Sequence, residues 1–224
     1  MKKQSKIGLL FLVVILIGCG RNQKKDDKTS STQKFAEISK EEGFAEKHSE
    51  PKLIHAENGG GMISFPVKGG EDASAYQVIN KDSTNKYLFV IHEWWGLNNH
   101  IKNEADVWFE KLANVNVLAL DLYDGKVATT REDAQEFMSS VNEERIISII
   151  DAAIETLPKD AELATIGWCF GGGWSLRAAI QAGDKTTACV MYYGMPVKDE
   201  ELLKSLNAEV LFIYGTQDEW INEN

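Results

Sequence analysis

The 224-residue sequence is poor in cysteine, histidine and proline, with three, four and four of each. The three cysteines are far apart and the histidines form no i, i+4 pair, so no zinc-ligand pattern is present and no metal is expected. Nothing calls for a cofactor either. Positive charge is short: 24 Lys and Arg stand against 34 Asp and Glu, for a net charge of −10. With no basic patch, a nucleic-acid partner is excluded. The N-terminal apolar run, Ile7 to Ile17, spans only 11 residues. A membrane-crossing helix needs about 20. No internal repeat is visible. What remains is a chain with 43% apolar residues, enough for one globular domain of moderate size plus a tail.

The first residues read as a targeting segment rather than as part of the fold. Lys2, Lys3 and Lys6 precede the apolar run, as in the n- and h-regions of a secretory signal. The run ends in Leu16-Ile17-Gly18-Cys19, which resembles a bacterial lipobox. That resemblance implies a signal peptide over 1–18, cleavage before Cys19 and lipid on Cys19. The protein is then expected in the bacterial cell envelope, extracytoplasmic, touching the membrane only through that lipid. Residues 19–61 are polar and charged and read as a flexible tether, within which Lys34–Lys47 has the few apolar points of a marginal helix, Phe35, Ile38 and Phe44.

From Met62 the pattern changes. Met62–Val67 and Tyr76–Asn80 read as a hairpin joined through Gly69-Gly70. Tyr87–Ile91 is an unbroken apolar run, as in a parallel strand buried on both faces. Ile101, Ala105, Trp108 and Leu112 come next at helical spacing. Strands over Val115–Leu120, Leu163–Trp168, Thr187–Tyr193 and Val210–Tyr214 alternate with helices over Glu132–Val141, Glu143–Leu157, the stretch ending at Gly183, and Asp199–Leu206. Such alternation predicts an α/β fold with a mostly parallel sheet and helices on both faces, spanning 62–224.

The chemistry centres on Gly167-Trp168-Cys169-Phe170-Gly171-Gly172-Gly173. A strand turning abruptly into a helix through Gly-x-Cys-x-Gly has the form of a nucleophile elbow with cysteine in place of serine. Gly167 and Gly171 supply the small neighbours a strained nucleophile needs. The helix N-terminus beside Cys169 favours a thiolate. Cys189 lies about five residues below its strand's C-terminal end, so the two sulfurs differ by about 16 Å in height at ~3.3 Å per residue. No disulfide is expected. Two other strand ends carry suggestive residues, His92-Glu93-Trp94-Trp95-Gly96 and Gly215-Thr216-Gln217-Asp218, and in open α/β sheets such ends converge on one cleft.

These pieces together resemble the dienelactone hydrolase family of α/β-hydrolases. The matching segments are Ile91–Asn98, Ala119–Tyr123, Gly167–Gly172, Tyr192-Tyr193-Gly194 and Tyr214–Asp218. The resemblance implies a Cys-Asp-His triad acting on a small-molecule ester or lactone. Cys169 would attack the carbonyl and form a thioester. Asp218 would orient the histidine; the plainer reading is a loop aspartate capping the next helix. Backbone N–H groups of Trp94 and Phe170 would form the oxyanion hole. Glu93 would contact the resting thiol and take its proton, or simply bond loop backbone. His92 reads as a loop-packing residue, and Arg131 as either a holder of anionic substrate or a surface arginine.

One part of the pattern has no counterpart. In this fold the histidine comes after the acid, yet the sequence given ends at Asn224. His48 and His55 fall in the tether or at its edge, and His100 begins a helix. The expectation is a monomeric hydrolase incomplete at its C-terminus, without the final strand and helix, poorly folded and nearly inactive. A non-catalytic ligand-binding lipoprotein on a degenerate hydrolase fold is the alternative. A class I glutamine amidotransferase would need a downstream His-x-Glu, which is absent.

Overall fold

The computed structural model describes residues 30–51 and 59–221. The expected signal peptide over 1–18, Cys19 and His55 lie outside the described residues. Seven strands form one sheet: β1 (Gly61–Phe65), β2 (Ala73–Val78), β3 (Lys86–Ile91), β4 (Asn116–Leu120), β5 (Glu162–Trp168), β6 (Thr186–Tyr192) and β7 (Glu209–Ile213). Their order is β1-β2-β4-β3-β5-β6-β7. The β1-β2 and β2-β4 pairs are antiparallel, and every pair from β4 to β7 is parallel. This is the expected mixed α/β sheet. The second strand starts three residues earlier than expected because Ala73 and Ala75 are buried, small residues that do not stand out from the polar run before them.

Helices lie on both faces. Alternation along β3 sends Leu88 and Val90 to one side and Phe89 and Ile91 to the other. On the first side, α2 (Asn99–Lys111) docks through Ile101 and Ala105. Asn98 caps it, its side-chain oxygen accepting from the Ile101 N–H at 3.2 Å. On the second side lie α3 (Arg131–Ser139), α4 (Glu143–Thr156) and α5 (Phe170–Ala182). Ile146, Ile149, Ile150 and Ala153 form the buried stripe of α4. Each fully buried isoleucine contributes about 2 kcal/mol through removal from water. A short α6 (Glu200–Leu203) precedes β7, with Asp199 as its cap. Among the described residues, no helix is long and apolar enough to cross a membrane.

Residues 30–51 correct the reading of 19–61 as one flexible tether. Ser31–Ile38 forms a helix, α1, started by a capping box between Ser30 and Gln33. Phe35 and Phe44 are buried in the main core. Three apolar residues are too sparse to suggest a docked segment, but two aromatics are enough to make one. Phe44 packs against Trp94 at 5.4 Å and Trp220 at 5.3 Å between ring centroids. Polar contacts hold the same segment: the Glu41 carboxylate accepts from Trp220 Nε1 at 2.7 Å, and Arg131 Nε donates to the His48 carbonyl at 2.8 Å.

Candidate active site

β5 delivers Cys169 to the start of α5 with φ 56° and ψ −121°, a left-handed conformation that an L residue adopts only under strain. The two glycines of the motif make this possible. A Cβ on Gly167 would collide with the Gly171 carbonyl, and one on Gly171 with the carbonyls of Ile91 and His92. The helix start therefore lies directly against the end of β3. Deeper down, Ser175 Oγ donates to the Val190 carbonyl and Thr165 Oγ1 to the Ser175 carbonyl, both at 3.0 Å, fixing α5 on β5 and β6.

The thiol of Cys169 is buried, and the backbone N–H groups of Phe170 and Trp94 favour its charged form. Burial pushes its pKa well above the usual thiol range, and the negative charge of Glu93 pushes the same way, with Asp218 adding to it. The two N–H groups pull in the other direction. The helix N-terminus alone would favour a thiolate; desolvation and two carboxylates outweigh it, and the resting sulfur is a neutral thiol. Cys189 is a free, buried core residue 3.6 Å from Ser175 Oγ, and Cys169 is free too, so the two do not bridge.

The loops after β3 and β6 bring Glu93 to the same place. Tyr193 Oη donates to Glu93 Oε1 at 3.2 Å. Burial raises the Glu93 carboxyl above the ordinary range, against the Tyr193 hydrogen bond and the charges of His48 and His100. His92 is fully buried and packs the loop, as read from sequence. Its Nδ1–H donates to the Glu93 carbonyl at 2.6 Å, and its Nε2 accepts from the Leu122 N–H at 3.1 Å. Burial lowers its pKa, so the ring is neutral. Asp121 holds the neighbouring loop by accepting from the N–H groups of Tyr123 and Gly125.

Asp218 lies on the loop after β7 and lines a cavity of about 290 Å³ together with Cys169, Tyr193, Phe44, His48 and Trp220. Its Oδ1 accepts from the N–H groups of Trp220 and Ile221, each at 2.8 Å. The aspartate thus ties down its own loop, close to the plainer of its two readings, while facing the cavity of Cys169. A larger groove, about 670 Å³, opens between α1 and the segment 195–202, and neither Cys169 nor Glu93 lines it. Arg131 donates its Nε–H to the His48 carbonyl at 2.8 Å and does not line the cavity of Cys169.

His48 is the residue that sequence reasoning missed. Its position reads as tether, yet it lines the cavity of Cys169 and Asp218. Its ring lies 5.0 Å from that of Trp94 and 4.3 Å from that of Phe44. The one signal available was Phe44, four residues upstream and on the same side of a helical turn. Among the described residues, no cluster of three or more His, Cys, Asp or Glu could hold a metal ion.

A cysteine at positive φ in a strand-to-helix turn between two glycines has the form of the nucleophile elbow of α/β-hydrolase folds. The dienelactone hydrolase family model matches residues 73–224, and the chain belongs to that family. A protein of Aquifex aeolicus (strain VF5) with the name "Putative carboxymethylenebutenolidase" is 27% identical over 177 residues, covering 74% of each chain. "Protein usf" of Aquifex pyrophilus is 29% identical over 149 residues, 61% of this chain and 63% of that protein. Among solved structures, m3DLH superposes with a TM-score of 0.61 at 24% identity, covering 73% of this chain and 71% of the other. That likeness shows the α/β-hydrolase fold.

Proposed function

We propose that this protein hydrolyses small-molecule esters or lactones through Cys169 as nucleophile. Membership of the family supports a hydrolase of that class. The observation that carries the cysteine assignment is the sulfur's own setting: a positive-φ residue between two obligatory glycines, met by the N–H groups of Phe170 and Trp94. When Sγ attacks a carbonyl carbon, the carbonyl oxygen becomes an oxyanion. The same two N–H groups are the donors at hand to stabilise it, an effect worth about 3 kcal/mol per donor in such sites. Collapse expels the alcohol and leaves a thioester, which water cleaves through a second oxyanion. Glu93, protonated more readily than an exposed glutamate, is suited to meet the neutral thiol at rest and to accept its proton. Asp218 holds its loop in place and places negative charge at the cavity. Phe35, Phe44 and Trp220 form an apolar part of the cavity wall, which suits a small apolar or flat acyl group.

We also propose that the chain is lipid-anchored through Cys19 in the bacterial envelope, with the catalytic domain outside the cytoplasm. Palmitate labelling, with Cys19→Ser as control, tests this part; an unlabelled wild-type chain in membranes overturns it.

The test of activity is turnover of p-nitrophenyl acetate and of a five-membered enol lactone by the purified chain and by Cys169→Ala. The expected result is turnover that disappears in the variant, with a mass increase matching an acyl group on the Cys169 peptide of the wild type. A stable, folded chain whose rates equal those of Cys169→Ala would overturn the reading and favour a non-catalytic binding module.

A further inference from the structure

We infer that the groove of about 670 Å³ between α1, α5 and the segment 195–202 is a second ligand site, taking an organic carboxylate with a flat apolar body. Neither Cys169 nor Glu93 lines it, and the inference does not depend on the role of Cys169. The volume falls within the usual range of small-molecule sites. Phe170, Gly173, Trp174 and Arg177 form one wall. Their spacing of i, i+3, i+4 and i+7 puts them on a single face of α5. Gly173 lets the opposite wall come close, since a Cβ there would meet the Met195 carbonyl at 2.7 Å. Met195, Val197 and Leu202 supply the apolar side chains of that wall. Between the two walls, the faces of Phe170 and Trp174 suit a flat ring system.

The polar anchor is Arg177. Its Nε is buried and has no hydrogen-bond partner among the described residues. A buried guanidinium N–H without an acceptor is costly. A carboxylate meets the need, because its two oxygens match the fork of the guanidinium. Acidic side chains also line the groove, but most are engaged elsewhere. Glu143 Oε2 accepts from Ser30 Oγ at 2.6 Å. Asp199 Oδ1 accepts from the N–H groups of Glu201 and Leu202, and the Glu201 carboxylate pairs with Lys204 at 2.6 Å. Glu200 is exposed to solvent. Lys34 and Lys198 add positive charge to the lining.

Side-chain bonds hold the walls together. Ser31 Oγ donates to the Pro196 carbonyl at 2.7 Å, which ties the start of α1 to the segment 195–202. The Ser30 bond to Glu143 ties it to the start of α4. A ligand in the groove therefore touches the N-terminal segment as well as α5. Phe35 of α1 lines both this groove and the cavity of Cys169. Occupancy of the groove thereby steadies the segment that supplies Phe35, Phe44 and His48 to the catalytic cavity.

The experiment titrates the full chain with the fluorescent acid 1-pyrenebutanoate and with its neutral counterpart 1-pyrenebutanol, in wild type, Arg177→Gln and Arg177→Lys. The wild type should bind the acid at least about tenfold more tightly than the alcohol, the scale of one charge-assisted hydrogen bond. Arg177→Gln should remove that preference and leave the alcohol's affinity within about twofold, a change too small for a lost hydrogen bond. Arg177→Lys should keep part of the preference, since it retains the charge without the fork. Circular dichroism checks that each variant is folded; should Arg177→Gln unfold, Arg177→Lys and hydrogen exchange on the wild type decide. Bound acid should slow amide exchange over Ser31–Ile38 and 195–202, the two elements that face α5 across the groove. Equal affinities for acid and alcohol in the wild type overturn the inference, as does unchanged acid binding in folded Arg177→Gln. No saturable binding below about 1 mM does the same, being weak for a ligand of this size. Protection confined to the loop of Asp218 also overturns it, because the acid would then occupy the catalytic cavity instead.

Discussion

Tyr193 Oη donates a hydrogen bond to Glu93 Oε1 at 3.2 Å, joining the loop after β6 to the loop after β3 beside the nucleophile. The bond favours the charged carboxylate, whereas burial disfavours it more strongly, and the net shift is upward. A carboxyl whose pKa is raised by folding binds its proton more tightly in the native state. Native stability is then full at pH below the ordinary carboxylate range and falls as pH rises through the raised value. Glu93→Gln removes that loss. Its stability should exceed that of the wild type at neutral pH, and the gap should close as pH falls to the ordinary carboxylate range. Tyr193→Phe should do the reverse, widening the loss at neutral pH. Urea midpoints over a pH series measure both, and a Glu93→Gln variant less stable than wild type at pH 8 contradicts the assigned sign.

Gly171→Ala should be severely destabilising. The added methyl meets the carbonyls of Ile91 and His92, backbone atoms that cannot move without shifting the end of β3. Overpacking of this kind costs about 3 kcal/mol, toward the upper end of its usual range. Gly183→Ala is a useful contrast. Its φ is +52°, yet a Cβ there would meet nothing within 4 Å. Only conformational strain is added, and net of glycine's greater loss of freedom on folding it comes to about 1 kcal/mol. Thermal melts of the two variants should rank them in that order; equal losses would mean that close approach at Gly171 is relieved by the backbone.

The reach of sequence reading is clear from these same residues. The turn at Gly167, Cys169 and Gly171 was legible because backbone strain admits few residue types, whereas Trp94 and Phe170 were named only through the family resemblance. The parallel strands were legible because burial on both faces demands continuous apolar runs, as in Tyr87–Ile91. The docking of Phe35 and Phe44 was not. It depends on a surface built from Trp94 and Trp220, residues far away in sequence, and on a shape that no local periodicity encodes. His48 was hidden for the same reason. Asp218 was expected at the cleft and lines the cavity of Cys169, but its bonds to the N–H groups of Trp220 and Ile221 depend on the loop's own conformation.

Phe44→Ala should release the N-terminal segment. The ring touches His48, Trp94 and Trp220, and loss of a buried phenylalanine costs about 3–5 kcal/mol where the whole fold depends on it. Here the ring sits on a segment outside the sheet and its flanking helices, so release of that segment alone is expected to limit the loss. Hydrogen exchange should show lost protection over 30–51 with β3 and β5 still protected. By contrast, Lys47→Ala removes an ion pair whose side chains are 56% and 69% exposed. Exposed pairs contribute about 0.5 kcal/mol or less, so protection over 30–51 should persist. Cooperative loss across the sheet in Phe44→Ala would show instead that the segment is integral to the core.

Cys169→Gly should be more stable than Cys169→Ala, the reverse of the order at an ordinary helix start. Both variants lose the sulfur, so activity and thiol burial drop out of the comparison. What differs is the backbone at φ 56° and ψ −121°. An alanine there keeps a Cβ and its strain, about 1–3 kcal/mol, while glycine adopts the conformation freely. Glycine also has more freedom to lose on folding, which offsets about 0.5–1 kcal/mol. The expected difference is about 1 kcal/mol in favour of glycine, read from urea unfolding at constant m-value. Such a result would place the strain at the nucleophile itself, stored where it projects a sulfur into the cavity rather than into the sheet. If alanine proves the more stable, the turn is relaxed in solution, and the N–H groups of Phe170 and Trp94 are not held on the sulfur by the backbone.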